Sequence, residues 1–411
     1  MRLFIPIFLF FFFLFSIANN DTLRITRVEE LSAQYHFDVV GWEIKNLPSK
    51  WFRKINARIF PFRSKNDTSI KTVFEYFRLT GEAQYTQWLV NQEASKGNPE
   101  TERFESELNK IKSQQNLLRP GVEDFLEKEL SNTLYRERIP TKIGRVVFPP
   151  VALVLVNPPK MLSISPRDRI FLAETILLTP NMSVQEKERL EKHILQKENK
   201  SALVAGIGGL STYPSFITPT GLRTTLNIAA HEWLHHYLTF QPLGRNIHKD
   251  ANMRTLNETT SNIFGDELGD LIYTQLTAKN VPNGVASNQE SCEEPEFCFN
   301  KEMHKTRLHV DELLDKGMIL EAEKYMEEQR QIFVKNGYNI RKLNQAYFAR
   351  NAPYADNPAS TSPIFDQLVQ LRHESSSLAQ FIHTVSGISD YDSFNVLIDN
   401  LKLVRKAANK P

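Results

Sequence analysis

The chain has 411 residues, with 50 Lys and Arg against 48 Asp and Glu, a formal charge of +2 with His neutral. Hydrophobic residues make up 41% and charged residues 24%, and the 16 Gly and 21 Pro leave no room for a collagen-like or low-complexity chain. A balance this near zero, with no basic stripe or acidic tail, excludes the electrostatic footprint of a nucleic-acid binder, while the length implies two or three domains and at least one sizeable core.

Met1-Arg2 opens the chain, and residues 3–15 form an apolar run of 13 that holds seven of the 27 Phe. Ser16 and Ala18 fit the −3 and −1 positions of a signal-peptidase site. Sixteen residues of helix cover roughly 24 Å, short of an apolar slab of about 30 Å. Residues 1–18 therefore read as a secretory signal, or as a single N-terminal membrane anchor if uncleaved. Either reading puts the body of the chain outside the cytoplasm: periplasmic, at the cell surface or secreted. No other run reaches 18 apolar residues, which excludes a polytopic protein.

Residues 19–140 read as a charged, helical N-terminal region. Helices are predicted at 69–79, 102–114 and 120–135, the last from the spacing of Val122, Phe125, Leu126, Leu130 and Leu134. Residues 141–280 change to an α/β pattern. Strand-type runs occur at 151–156, 161–165, 170–178 and 201–204, with a charged helix at 184–197. Residues 281–411 return to helix. Segments 301–316 and 319–335 read as an αα-hairpin, each stopped by a glycine, Gly317 and Gly337. Further helices are expected at 341–350, 363–372, 377–385 and 391–405. The fold class is α+β, predominantly helical. The two cysteines, Cys292 and Cys298, sit six residues apart, which in an exported chain suggests a local disulfide, with two free thiols as the alternative.

Within 222–238, a stretch free of Pro and Gly, His231-Glu232-Trp233-Leu234-His235 has the form H-E-x-x-H. Two His at i and i+4 project from one face of a helix and can reach one metal ion. Glu232 is then placed to hold the water on that metal. From this chain's own His and Glu frequencies, chance alone gives the pattern in roughly one chain in a hundred of this size. A catalytic zinc keeps three protein ligands. A third His at the spacing H-x-x-G-x-x-H is absent, since Leu238 and Gln241 occupy those places. Glu258, 23 residues after His235, opens a second apolar-periodic segment and is the candidate. Thr255 to Glu258 also reads as a capping box, which puts Glu258 in the first turn. Asp266, Glu267 and His248 are rival ligands. Asn262, one turn after Glu258, is a candidate hydrogen-bond partner for it. His236 is expected to pack locally, and His304 and His309 to be solvated.

His231-Glu232-x-x-His235 followed by Asn257-Glu258 on a later helix resembles the gluzincin clan of zinc metallopeptidases, the thermolysin-like and aminopeptidase-like enzymes, over residues 140–275. The resemblance implies a zincin-like core: a small twisted sheet, the H-E-x-x-H helix, a second helix bringing Glu258, and a helical C-terminal part closing the cleft. It implies Zn²⁺ as cofactor and a Tyr or His from the C-terminal part as oxyanion donor, for which Tyr347 is the candidate, with an ordinary core tyrosine as the alternative. Clan aminopeptidases carry G-x-M-E-N upstream. The corresponding Gly206 to Tyr213 stretch has no acid, which speaks against amino-terminal trimming. That glycine-rich stretch is either a sheet edge that pairs with extended substrate or a plain bulge.

The expectation is a zinc metallopeptidase: His231, His235 and Glu258 as ligands, Glu232 as base, peptide or protein as substrate. Two alternatives remain at this point, a non-catalytic zinc-binding surface module that binds a partner protein, and a zinc hydrolase acting on a non-peptide bond.

Overall fold

The structure is a computed structural model, described here for residues 25–42, 68–96, 100–139, 142–143, 146–278 and 297–408. The signal or anchor at 1–18 and Cys292 lie outside the described residues. About 65% is helix, with small sheets, so the α+β, predominantly helical class holds. Among the described residues no helix is long and apolar enough to cross a membrane.

The chain begins with α1 (Arg27–Ser32), α2 (Ile70–Lys96) and α3 (Glu100–Arg136). The two helices expected at 102–114 and 120–135 are one, running through Pro120. Pro in a helix interior costs about 3 kcal/mol. The continuous buried face of Val122, Leu126, Leu130 and Leu134 offsets that cost. A short hairpin of β1 (Lys142–Ile143) and β2 (Val146–Val147) leads to β3 (Leu153–Leu155), β4 (Lys160–Ser165) and β5 (Glu174–Leu178). The strand expected at 170–178 starts only at Glu174, because Ile170 packs instead into a C-terminal helical cluster. Then follow α4 (Val184–Glu198), β6 (Ser201–Gly206), β7 (Gly209–Leu210), β8 (Ser215–Ile217), α5 (Leu222–Leu238), α6 (Pro242–Arg245) and α7 (Ala251–Ala278). The remaining helices are α8 (Phe299–Asp315), α9 (Ile319–Lys335), α10 (Gln345–Asn351), α11 (Ile364–Glu374), α12 (Leu378–Ser386) and α13 (Tyr391–Ala408). Gly317 and Gly337 stop α8 and α9 in the left-handed region, at φ 73° and 92°. Cys298, at the start of α8, is disulfide-bonded.

One three-stranded sheet has the order β5-β4-β6, all antiparallel. Its buried face (Leu162, Ile164, Val204) packs on Ile194 of α4 and Val28 of α1. The other has the order β3-β8-β7, parallel between β3 and β8 and antiparallel between β8 and β7. The largest core draws Leu126 of α3, Trp233 of α5, Phe264 of α7 and Phe381 of α12 into one cluster, so N-terminal, central and C-terminal stretches share it.

The outer edge of β3 is sealed by side chains rather than by a strand. Buried Glu127 and Glu123 of α3 accept the backbone N–H groups of Leu153 and Leu155, each at 2.9 Å. Four helical residues rise roughly 6.0 Å and two strand residues roughly 6.6 Å, so an i, i+4 pair of carboxylates matches alternate amides of a strand. Among the described residues, β7 is the other edge strand of this sheet. Glu127→Ala and Glu123→Ala should each lower stability by about 1–3 kcal/mol, the cost of one buried unpaired amide. Urea midpoints measure this; a shift under a few tenths of a kcal/mol would show that the seal is not needed.

Candidate metal centre

Helix α5 occupies the span its lack of Pro and Gly predicts, with Gly221 before it and Pro242 starting α6 after it. Ala229, Ala230, Trp233, Leu234 and Tyr237 bury one face. Trp233 Nε1 donates to the Pro149 carbonyl at 2.9 Å, locking the helix against the strand region. Helix α7 starts earlier than its sequence suggests. Asp250 accepts the Met253 amide at 2.9 Å, and the Thr255 hydroxyl donates back to the Ala251 carbonyl. Glu258 is therefore the eighth residue of the helix rather than a first-turn residue. The capping-box role is excluded, because Asp250 already does that work one turn upstream.

Small residues let α7 lie directly on α5. A Cβ at Gly265 would stand 2.7 Å from the Asn227 carbonyl oxygen and 3.0 Å from the His231 Cβ. At Gly269 it would stand 2.2 Å from Asn227 Oδ1 and 2.6 Å from Asn227 N. Ser261, one turn before Gly265, is also buried and turns its hydroxyl back onto the Asn257 carbonyl. Gly265 and Gly269 face α5, and Glu258 lies two turns before Gly265.

The result is a compact donor set. His231 Nε2 and His235 Nε2 lie 3.0 Å apart, and Glu258 Oε2 lies 3.6 and 3.4 Å from them. Ligands held tetrahedrally at roughly 2.0–2.1 Å from one zinc ion lie about 3.3–3.4 Å from each other. The two-nitrogen, one-oxygen set therefore fits zinc in both chemistry and spacing. Among the described residues it is the only such grouping of His, Cys, Asp or Glu. The rival ligands are engaged elsewhere: Asp266 accepts from Asn227 Nδ2 at 2.9 Å, Glu267 pairs with Arg372, and His248 lies by Arg254.

Burial alone would raise the pKa of Glu258, yet His235 and His231 beside it hold the carboxyl far below its usual range. Burial opposes the charge on His235, but Glu258, Glu232 and the Asn257 amide push its pKa up to about 9. Burial raises the pKa of Glu232, against the pull of both imidazoles and a hydrogen bond from Ser211. Two carboxylates facing two imidazoles make a pocket that favours positive charge.

Glu232 touches the sheet edge. A Cβ on Gly209 would stand 2.3 Å from Glu232 Oε1, so only glycine lets the β7 backbone lie on this carboxylate. His236 fixes the segment after β7: its Nε2–H donates to the Thr212 carbonyl at 3.0 Å, and burial pushes its pKa down to about 4. It packs locally, as its sequence neighbours imply. His304 and His309 are exposed, near the Pro358 carbonyl and Glu312.

Tyr347 packs edge-on to Phe348 in the C-terminal cluster, and the charge acting on it is that of Arg350. A different tyrosine shares the centre. Tyr354 feels Glu258 most strongly, then burial and Glu232, and its phenol is held well above the usual range. Its loop is pinned to α7: the Ala355 amide donates to Thr259 Oγ1 at 3.0 Å, and Asn262 Nδ2 donates to both oxygens of Asp356 at 2.9 and 3.0 Å. Asn262 thus holds the Tyr354 loop rather than Glu258. The only local signal for Tyr354 is its place between Pro353 and Pro358, which marks a shaped loop but not what it faces.

No family model, no curated protein and no solved structure matches the chain. Purified protein should take up about one zinc per chain. Glu258→Ala should weaken zinc by at least roughly 100-fold, beyond what loss of an outer hydrogen-bond partner costs. Glu267→Ala and His248→Ala should leave it unchanged in competition titrations with a chelating dye. Gly269→Ala should also weaken zinc, by forcing α7 away from Asn227. Unchanged affinity there would mean that the helix contact does not set the donor spacing.

Proposed function

We propose that the chain is a zinc-dependent metallopeptidase of gluzincin type that hydrolyses peptide bonds outside the cytoplasm. In this reading α5, α7 and the β3-β8-β7 sheet are a zincin-like core. The observation that carries it is the convergence of His231, His235 and Glu258 on one point, with the Glu232 carboxylate beside them against the edge strand β7. The apolar start at residues 3–15 and the disulfide-bonded Cys298 support an exported location.

His231, His235 and Glu258 would hold zinc, which when bound would supply a Lewis acid for the scissile carbonyl. Glu232 holds a water molecule and takes its proton as the water oxygen bonds to the carbonyl carbon. Its burial strengthens it as a base. The same carboxyl then gives that proton to the amide nitrogen, the C–N bond breaks, and the amine leaves. Tyr354, kept protonated by the neighbouring carboxylates, donates a hydrogen bond to the oxygen that gains charge. The β7 backbone at Gly209 holds an extended peptide beside Glu232, the Leu210 carbonyl being already taken by the Thr212 amide.

An unbiased peptide-library digest, with and without chelator, tests the assignment. The expected result is cleavage that chelation abolishes and zinc restores. Glu232→Gln should keep its zinc and lose about 10²–10⁴-fold in turnover. A variant that cleaves as fast as the parent would remove the mechanism. Tyr354→Phe should lower kcat by roughly 10²–10³ with KM little changed, whereas Tyr347→Phe should behave as the parent. The reverse pattern would assign the donor to Tyr347.

A further inference from the structure

Among the described residues, Arg350, whose charge reaches Tyr354, and its neighbour Lys160 have no carboxylate partner. Arg350 is the penultimate residue of α10. Its Nη2 donates to the Gly206 carbonyl, while its Nη1 is buried with no hydrogen-bond partner. Lys160 starts β4 and stands directly opposite Gly206 in the β4–β6 register. A Cβ placed on Gly206 would lie 3.7 Å from Lys160 Nζ. Arg167 and Arg372, by contrast, meet Glu323 and Glu267. Among the described residues, no such partner faces Arg350 or Lys160. Burial, Lys187 and Arg350 hold Lys160 below the usual ammonium range, and burial lowers Arg350 too. Unpaired cations in a partly buried place carry a desolvation penalty, which an arriving anion relieves in part.

Their position relative to the reacting bond follows from the strands. Gly206 precedes Gly209 by three residues, and Gly209 lies on Glu232. The charge of Arg350 also reaches Tyr354. Three residues of extended chain span at most roughly 10 Å. A peptide that pairs with β7 in the antiparallel sense runs opposite to it. The part of the peptide after the scissile bond then points back toward Gly206.

We propose that Arg350 and Lys160 form a carboxylate-binding subsite for the segment of a peptide that follows the scissile bond. Its ligand is the carboxylate of a C-terminus or of an Asp or Glu side chain, roughly two or three residues beyond that bond. Arg supplies a planar pair of donors and Lys a mobile point charge, a combination suited to a carboxylate arriving along a strand. The assignment rests on the peptidase reading for its substrate class. The subsite itself is measured by binding.

The probes are three acetylated penta-alanine peptides: the free acid, the amide, and an amide with Glu as the fourth residue. Each is titrated calorimetrically into the zinc-loaded Glu232→Gln protein. At least one carboxylate-bearing peptide should bind about tenfold more tightly than the neutral amide. A gain for the free acid alone identifies the C-terminus as the source, and a gain for the Glu peptide alone identifies a side chain. The gap should close in both Arg350→Met and Lys160→Met. The second variant leaves the hydrogen bond to Gly206 intact, so a collapse of the strand cannot imitate the result. Equal affinity for all three peptides, no binding of any, or a gap that survives both substitutions overturns the subsite. In parallel, the unsubstituted protein is incubated with the same peptides. An intact affinity gap without cleavage of any peptide sinks the peptidase reading while upholding the subsite.

Discussion

The closeness of α7 to α5 is the constraint on which the centre of this molecule depends. Helices that meet through ordinary side chains stand 8–10 Å apart. Here Gly265 and Gly269 remove the side chains that would hold α7 away from Asn227 and His231. Glycine inside a helix costs about 1 kcal/mol relative to alanine. Two of them in one helix are offset by a contact that brings a carboxylate and two imidazoles within 3.6 Å of one another. Phe264 and Leu268, each buried next to one of these glycines, supply the apolar grip on the shared core.

The charges around this contact are arranged by type. Glu232 and Glu258 face the imidazoles, and Asp356 adds further negative potential close to His231 and Glu258. Across Tyr354 the sign reverses at Arg350 and Lys160. A polar substrate with a positive and a negative end would meet a field that orients it before any contact forms. In the proposed peptidase reading, the sheet edge between these regions would supply hydrogen bonds that ignore side-chain identity, leaving orientation and selectivity to the flanking charges.

Local patterns made much of this readable in the sequence. The uninterrupted run 222–238 is α5 as printed in the chain, 319–335 is α9, and Gly317 and Gly337 mark real stops. The shared face of His231 and His235 was legible from their i, i+4 spacing, because helical periodicity fixes what faces what within one helix, whereas Glu258, on another helix, was reached only as the third ligand that the clan resemblance implies. The misreadings share one cause. Asp250, Glu123, Glu127, Gly265, Gly269 and Tyr354 each act through a partner on another turn or another element, and no periodicity encodes that partner. Thr255 offered a plausible cap, but Asp250 captured the first turn. Tyr347 sat on a helix and invited a role, whereas Tyr354 depends on Thr259 and Asn262 to present its loop.

The connection between α5 and α7 divides into two parts of different character. Helix α6 folds tightly under the end of α5: Leu243 is fully buried, and a Cβ on Gly244 would collide with the Leu238 carbonyl at 2.1 Å. The residues after it, His248 to Asp250, are exposed. Since the register of the donor set is written along α7 and not in this connector, extra residues between His248 and Lys249 would bulge into solvent without disturbing it. The 22 residues between His235 and Glu258 thus set only the length of the connection, while the packing of α7 on α5 sets the shape of the pocket.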